Sequence, residues 1–134
     1  MTYASGPVSY EIDAAPAVVY VTLSGAVTFA LLCELDEQVM SDARFRADMS
    51  YYVDCRVLTE IPSVEQIRKL AIDRLLHGAD SKLGKIAIVV LTRLGVEYAT
   101  AWELFADSPN EDVQMFTAPE AARKWLGLPI EAGA

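Results

Sequence analysis

The first apolar positions of the chain repeat every second residue. Val8, Tyr10 and Ile12 alternate with polar neighbours in "VSYEID", Ala15-Pro16 interrupts, and Val19, Val21 and Leu23 resume the alternation. A period of two predicts half-buried strands, and the break between them predicts a hairpin. From Thr28 the period lengthens: Leu32, Leu35 and Val39 share one face of a helix reaching about Asp42, with Glu34, Asp36, Glu37 and Gln38 turned largely to water. "SYYVDCRVL" predicts the next strand. After "TEIP", Ser63 and Gln66 have the spacing of a capping box, opening a helix whose stripe is Val64, Ile67, Ala71 and Leu75 and whose end is His77-Gly78.

"GKIAIVVL", Gly84 to Leu91, is a near-continuous β-branched run, apolar on both faces, as expected of a central parallel strand with helices on each side. Tyr98, Ala101, Trp102 and Phe105 line one face of the helix that follows, and "DVQMF" is a last strand. The closing stretch "FTAPEAARKWLG" predicts a short helix capped by Thr117 with Glu120 reaching back, Pro119 in the first turn, Gly127 at the stop and Pro129 beyond it. The order ββαβαβαβα predicts an α/β fold: a leading β-hairpin, then alternating βα units, giving a mostly parallel five-stranded sheet with four helices and right-handed crossovers. At 134 residues the chain suits a single domain spanning 1–134, with no linker and no internal repeat.

Charge removes several function classes. With 19 acidic and 11 basic residues the net charge is −8, and Arg44 and Arg46 alternate with Asp42 and Asp48 rather than clustering, which argues against nucleic acid and anionic membranes. No apolar run approaches the roughly 20 residues of a membrane span, so stable insertion is not expected. The N-terminal stretch lacks the basic start and apolar block of a secretory signal, and cytoplasmic residence is the expectation.

Catalytic chemistry is sparse. The sequence contains no G-x-G-x-x-G, P-loop, H-E-x-x-H or C-x-x-C motif, and no metal or cofactor is expected. His77 sits at a predicted helix end, where its imidazolium would meet the dipole favourably. Cys33 and Cys55 lack metal-ligand spacing and are expected to pack. Asp54 and Glu97 could meet only through tertiary structure, and Tyr98, Trp102 and Phe105, at helical spacing, are expected in the core. Ligands of open parallel sheets bind outside the carboxyl ends of the strands. That rule selects Asp54, Cys55 and Arg56, the loop to Ser63, then Thr92, Arg93 and Gly95, and finally Thr117. Arg56 and Arg93 stand out there as candidate contacts for an anion or a partner.

These features resemble the SpoIIAA-like proteins, the fold group that includes the anti-sigma-factor antagonist (STAS) domains and, more distantly, the CRAL-TRIO lipid-binding domains. The likeness covers most of the chain and is nearest to small stand-alone bacterial members. It rests on "VDCR" as the strand ending in aspartate-x-arginine, "KIAIVV" as the central strand, and Phe116, Ala121 and Trp125-Leu126-Gly127 as the closing pattern. In STAS switch proteins a serine in an aspartate-serine-serine-glycine setting is phosphorylated by a partner kinase, and Ser63 is the positional equivalent. Here the stretch reads Ile61-Pro62-Ser63-Val64, without that aspartate or glycine, and Ser63 is read as a helix cap. The resemblance implies a non-enzymatic regulatory domain acting on a protein partner or by self-association. The alternative is a binder of a small apolar or anionic, lipid-like ligand. The residues assigned to either role are Arg56, Ser63, Thr92 and Arg93.

Overall fold

Residues 2–15, 17–46, 49–77, 85–105 and 112–128 are described by a computed structural model. Its elements run β1 (Thr2–Ser5), β2 (Val8–Asp13), β3 (Val18–Ala26), α1 (Phe29–Ser41), β4 (Ser50–Glu60), α2 (Val64–His77), β5 (Lys85–Val90), α3 (Arg93–Phe105), β6 (Asp112–Phe116) and α4 (Pro119–Leu126). The strands form one sheet in the order β1-β2-β3-β4-β5-β6. The expected hairpin is β2-β3, antiparallel with Tyr10 opposite Val21, and β3 through β6 are parallel. A sixth strand, β1, adds antiparallel to β2 at the edge. Its sequence "TYAS" holds a single large apolar residue, too few for an alternation to show.

Because β3 to β6 step in one direction, right-handed crossovers carry α1, α2 and α3 to the same face. There Leu32, Leu35 and Val39 of α1, Ile67 and Leu70 of α2, and Tyr98 and Ala99 of α3 join Val21, Val53, Ile88 and their strand neighbours in the main core. The opposite face of the sheet is sealed by α4, whose Ala122 packs with Val18, Tyr52, Ala87 and Val89, with Trp125 and Leu126 at its margin. β5 is thus covered on both sides, as its sequence implies.

Local chemistry accounts for most helix ends. Thr28 Oγ1 accepts the Leu31 N–H at 3.2 Å, and Ser63 with Gln66 forms the reciprocal capping box, at 3.0 Å and 3.2 Å. Gly127 closes α4 in the left-handed region at φ 74°, and the Leu128 N–H reaches the Arg123 carbonyl at 2.8 Å, which completes a Schellman stop. Pro129 and Gly78 lie outside the described residues.

Two expectations about the helices fail. Thr117 does not cap α4: the cap position is Ala118, which makes no side-chain cap hydrogen bond. A residue before proline is held out of the helical region, so Ala118, at φ −118° and ψ 125°, cannot serve as a first helical residue behind Thr117. Val64 is not in the α2 stripe either; it is 56% exposed, and Leu70 takes the buried place with Ile67. The side chains of Ala71, Leu75, His77 and Phe105 lie outside the described residues.

Candidate functional site

The carboxyl end of the sheet is shaped by the unequal lengths of its strands. β4 pairs with β5 only as far as Cys55, opposite Val90, but continues beside β3 to Glu60. "VDCR" therefore does not end a strand. It marks where β4 outruns β5, and its register with β3 slips there: Thr22 faces Asp54, whereas Ser24 faces Val57. The extra residue is a bulge, and the Asp54 carboxylate stabilises it by accepting the Arg56 N–H at 3.1 Å. The same carboxylate takes Arg56 Nε at 3.0 Å and a terminal guanidinium nitrogen at 2.9 Å. Burial pushes the Asp54 carboxyl up, but the Arg56 hydrogen bonds outweigh it and hold the group below the ordinary carboxylate range. An identical aspartate-x-arginine fork forms at Asp42 and Arg44, after α1. The fork is therefore a local device rather than a mark of the site.

The other sequence candidates gather at the same end. Ser63 caps α2, and Thr92 Oγ1 accepts the Gly95 N–H at 3.2 Å at the start of α3. Gly95 is required by space: a Cβ there would meet the Cys55 carbonyl oxygen at 3.0 Å and Val90 Cβ at 3.1 Å, so α3 begins pressed onto β4 and β5. Arg93, 93% exposed, lies 3.6 Å from Glu97 one turn on. Arg56 and Arg93 thus sit at one end of the fold, but each already faces its own carboxylate. Asp54 and Glu97 are likewise committed to these arginines. Cys55 is fully buried, and burial pushes its thiol well above the ordinary range, which leaves it a packing residue. Cys33 packs against the main core.

Apolar exposure completes the surface, and the sequence pattern does not predict it. Val57 (64%), Val64 (56%), Leu91 (67%) and Val96 (40%) all lie at this end, on β4, the start of α2, the residue after β5 and the first turn of α3. The available signal was Leu91, an apolar residue that follows the last paired residue of a buried strand. On the helix-covered face, a cavity of about 70 Å³ lies among α1, α2, α3 and the sheet. Among the described residues no cluster of histidine, cysteine and carboxylate side chains could hold a metal ion, and no helix is long and apolar enough to cross a membrane.

No protein-family model and no curated protein matches the chain. A solved structure does: an uncharacterised protein of the DUF3478 family from Shewanella loihica PV-4, described as having a SpoIIAA-like fold, superposes with a TM-score of 0.57 at 17% identity, over 89% of this chain and 91% of that one. The likeness extends over most of both chains, and the chain has a SpoIIAA-like fold.

Proposed function

We propose that this SpoIIAA-like domain is non-enzymatic and regulates through protein contacts made at the carboxyl end of its sheet. One observation carries the reading: of the six large apolar residues exposed among the described residues, four, Val57, Val64, Leu91 and Val96, occupy that end. Exposed apolar groups beside arginines have the composition of an interface centre and its rim. The polar groups there support the same reading, because Ser63 and Thr92 are engaged as helix caps and Arg56 and Arg93 in ion pairs. Arg56 keeps 40% of its side chain exposed while its fork holds the guanidinium in place, which suits a contact made on a rigid element.

The test is quantitative cross-linking and capture from the organism of origin, with sedimentation to detect self-association. Leu91→Asp and Val57→Asp should remove the captured partner or dissociate the oligomer. Met40→Asp and Ile72→Asp, at the remaining exposed apolar positions, should leave it in place. Equal capture by all four variants would sink the proposal. Arg56→Ala and Arg93→Ala should weaken the contact without changing the melting temperature, because exposed charges add little to stability.

A further inference from the structure

The two neighbours of β4 accompany it to different heights. Beside β3 it is paired as far as Glu60, opposite Ala26, but beside β5 its last pair is Cys55 with Val90. The chain leaves the sheet there: Thr92 Oγ1 caps α3, and the helix opens at Arg93. From Arg56 to Glu60, β4 therefore presents an edge with no strand alongside it among the described residues. Among those residues, no backbone hydrogen bond outside the helices and strands joins this stretch to Leu91, Thr92 or the first turn of α3. The bond it does make, from the Val27 N–H to the Glu60 carbonyl oxygen at 3.0 Å, lies on the β3 side.

This edge is ordered before any partner arrives. Its base is the bulge that Asp54 fastens, its middle is anchored by Leu58 in the main core, and its tip is tied to Val27. An extended row of backbone N–H and C=O groups is a template for another strand. Only an extended segment brings donors and acceptors at the matching spacing, since a helix satisfies its own internally. A row of this length, roughly 16 Å, takes about five residues. The side chains set the composition. Val57 and Leu91 are exposed beside the edge, whereas Arg56 and Arg93 each already face a carboxylate. We propose, resting on the reading of the carboxyl end as a protein-contact surface, that the partner binds there as a strand: an extended, uncharged segment, apolar at alternate positions, that adds to β4 along Arg56–Glu60 and covers Val57 and Leu91.

The test is an NMR titration of the full chain with end-blocked pentapeptides in which threonine alternates with valine, isoleucine or phenylalanine. Saturable amide shifts and slowed amide exchange are expected within Arg56–Glu60, with methyl shifts at Val57 and Leu91. Affinity should change little with salt, because the contact forms no ion pair. A strand turns alternate amides to opposite edges, so N-methylation of one alternate set should abolish binding and N-methylation of the other should leave it. Leu91→Asp should weaken the peptide about tenfold. Peptides that give no saturable change, or that bind equally with either set methylated, would overturn strand addition. Its failure is separable from that of the contact surface. A captured partner that depends on Leu91 and Val57, in a complex whose Arg56–Glu60 amides exchange as in the free chain, keeps the surface and removes the strand.

Discussion

Among the described residues, three helices cover one face of the sheet and a single eight-residue helix covers the other, and the two faces are made of different chemistry. Within β5, Ile86, Ile88 and Val90 join a mostly aliphatic core beneath α1, α2 and α3, while Ala87 and Val89 point toward α4. The α4 face relies on aromatic rings with cations above them. Phe116 meets Trp125 at 5.5 Å between ring centroids, Lys85 Nζ lies 5.0 Å from the Trp125 ring, and the Arg123 guanidinium sits 5.5 Å from the Tyr20 ring and 5.3 Å from that of Tyr52. A short helix cannot exclude water from a whole sheet face. Amphipathic rings topped by long cationic stems tolerate the boundary, because each buries its apolar body and leaves its polar part wet. The α1–α3 face has the reverse problem: more cover than its side chains fill, and hence a cavity.

The largest expected effect tests the aliphatic face. Ile88→Ala should cost about 3 kcal/mol in denaturant unfolding, since it removes a buried side chain that already borders a void. Its neighbour Val89→Ala, facing α4, should cost about 2 kcal/mol. If Val89→Ala proves the costlier, the main core is not where the stability resides. Trp125→Ala should cost about 2–3 kcal/mol, less than a fully buried tryptophan would, because the ring is only partly enclosed by Phe116 and Lys85. A variant that melts with the parent would show that α4 is an appendage rather than a seal.

Gly95→Ala probes the close approach of α3. A cost of about 1–2 kcal/mol is expected in thermal unfolding, as the new methyl must displace the helix from the Cys55 carbonyl and Val90. Neutral behaviour would mean that α3 has room to shift, and the cavity beside it would then be adjustable. Ser63→Ala should lose about 1 kcal/mol and Ser63→Asp almost nothing, because aspartate caps as well as serine does and its charge suits a helix N-terminus. A large loss with aspartate would contradict the capping role.

The smallest effect concerns acid. The Asp54 carboxyl is held below its ordinary value in the folded chain. Its contribution is therefore complete above the ordinary carboxylate range and is lost as pH falls through the lowered value. Asp54→Asn should flatten the acid limb of a stability-against-pH curve by less than about 1 kcal/mol, because solvent screens the pair with Arg56. Asp42, lowered by its hydrogen bonds from Arg44, should remain to shape the rest of that limb.

The sequence marked the aliphatic face more fully than the other. Leu32, Leu35 and Val39 are buried as their spacing requires, and the Ser63 cap forms as written. The Thr117 cap failed although its motif was present, because Pro119 acts on the residue before it. Arg56, Ser63, Thr92 and Arg93 do share one end of the fold, since strand order and the carboxyl-edge rule place them there. That Leu91 and Val57 stand exposed at the same end was not legible, because exposure beyond the paired part of a strand has no periodicity.

What the sequence determined by itself is what neighbours along the chain decide: element type, most helix ends, the hairpin, and the burial of β5 on both faces. These follow from side-chain period, capping chemistry and backbone sterics, which act over a few residues. The tertiary structure alone decided the bulge at Asp54 and Arg56, the exposed apolar end, and the cavity among α1, α2, α3 and the sheet. Each arises from elements distant in the chain meeting at unequal lengths or over different strands, and the sum of their volumes is nowhere written in a local pattern.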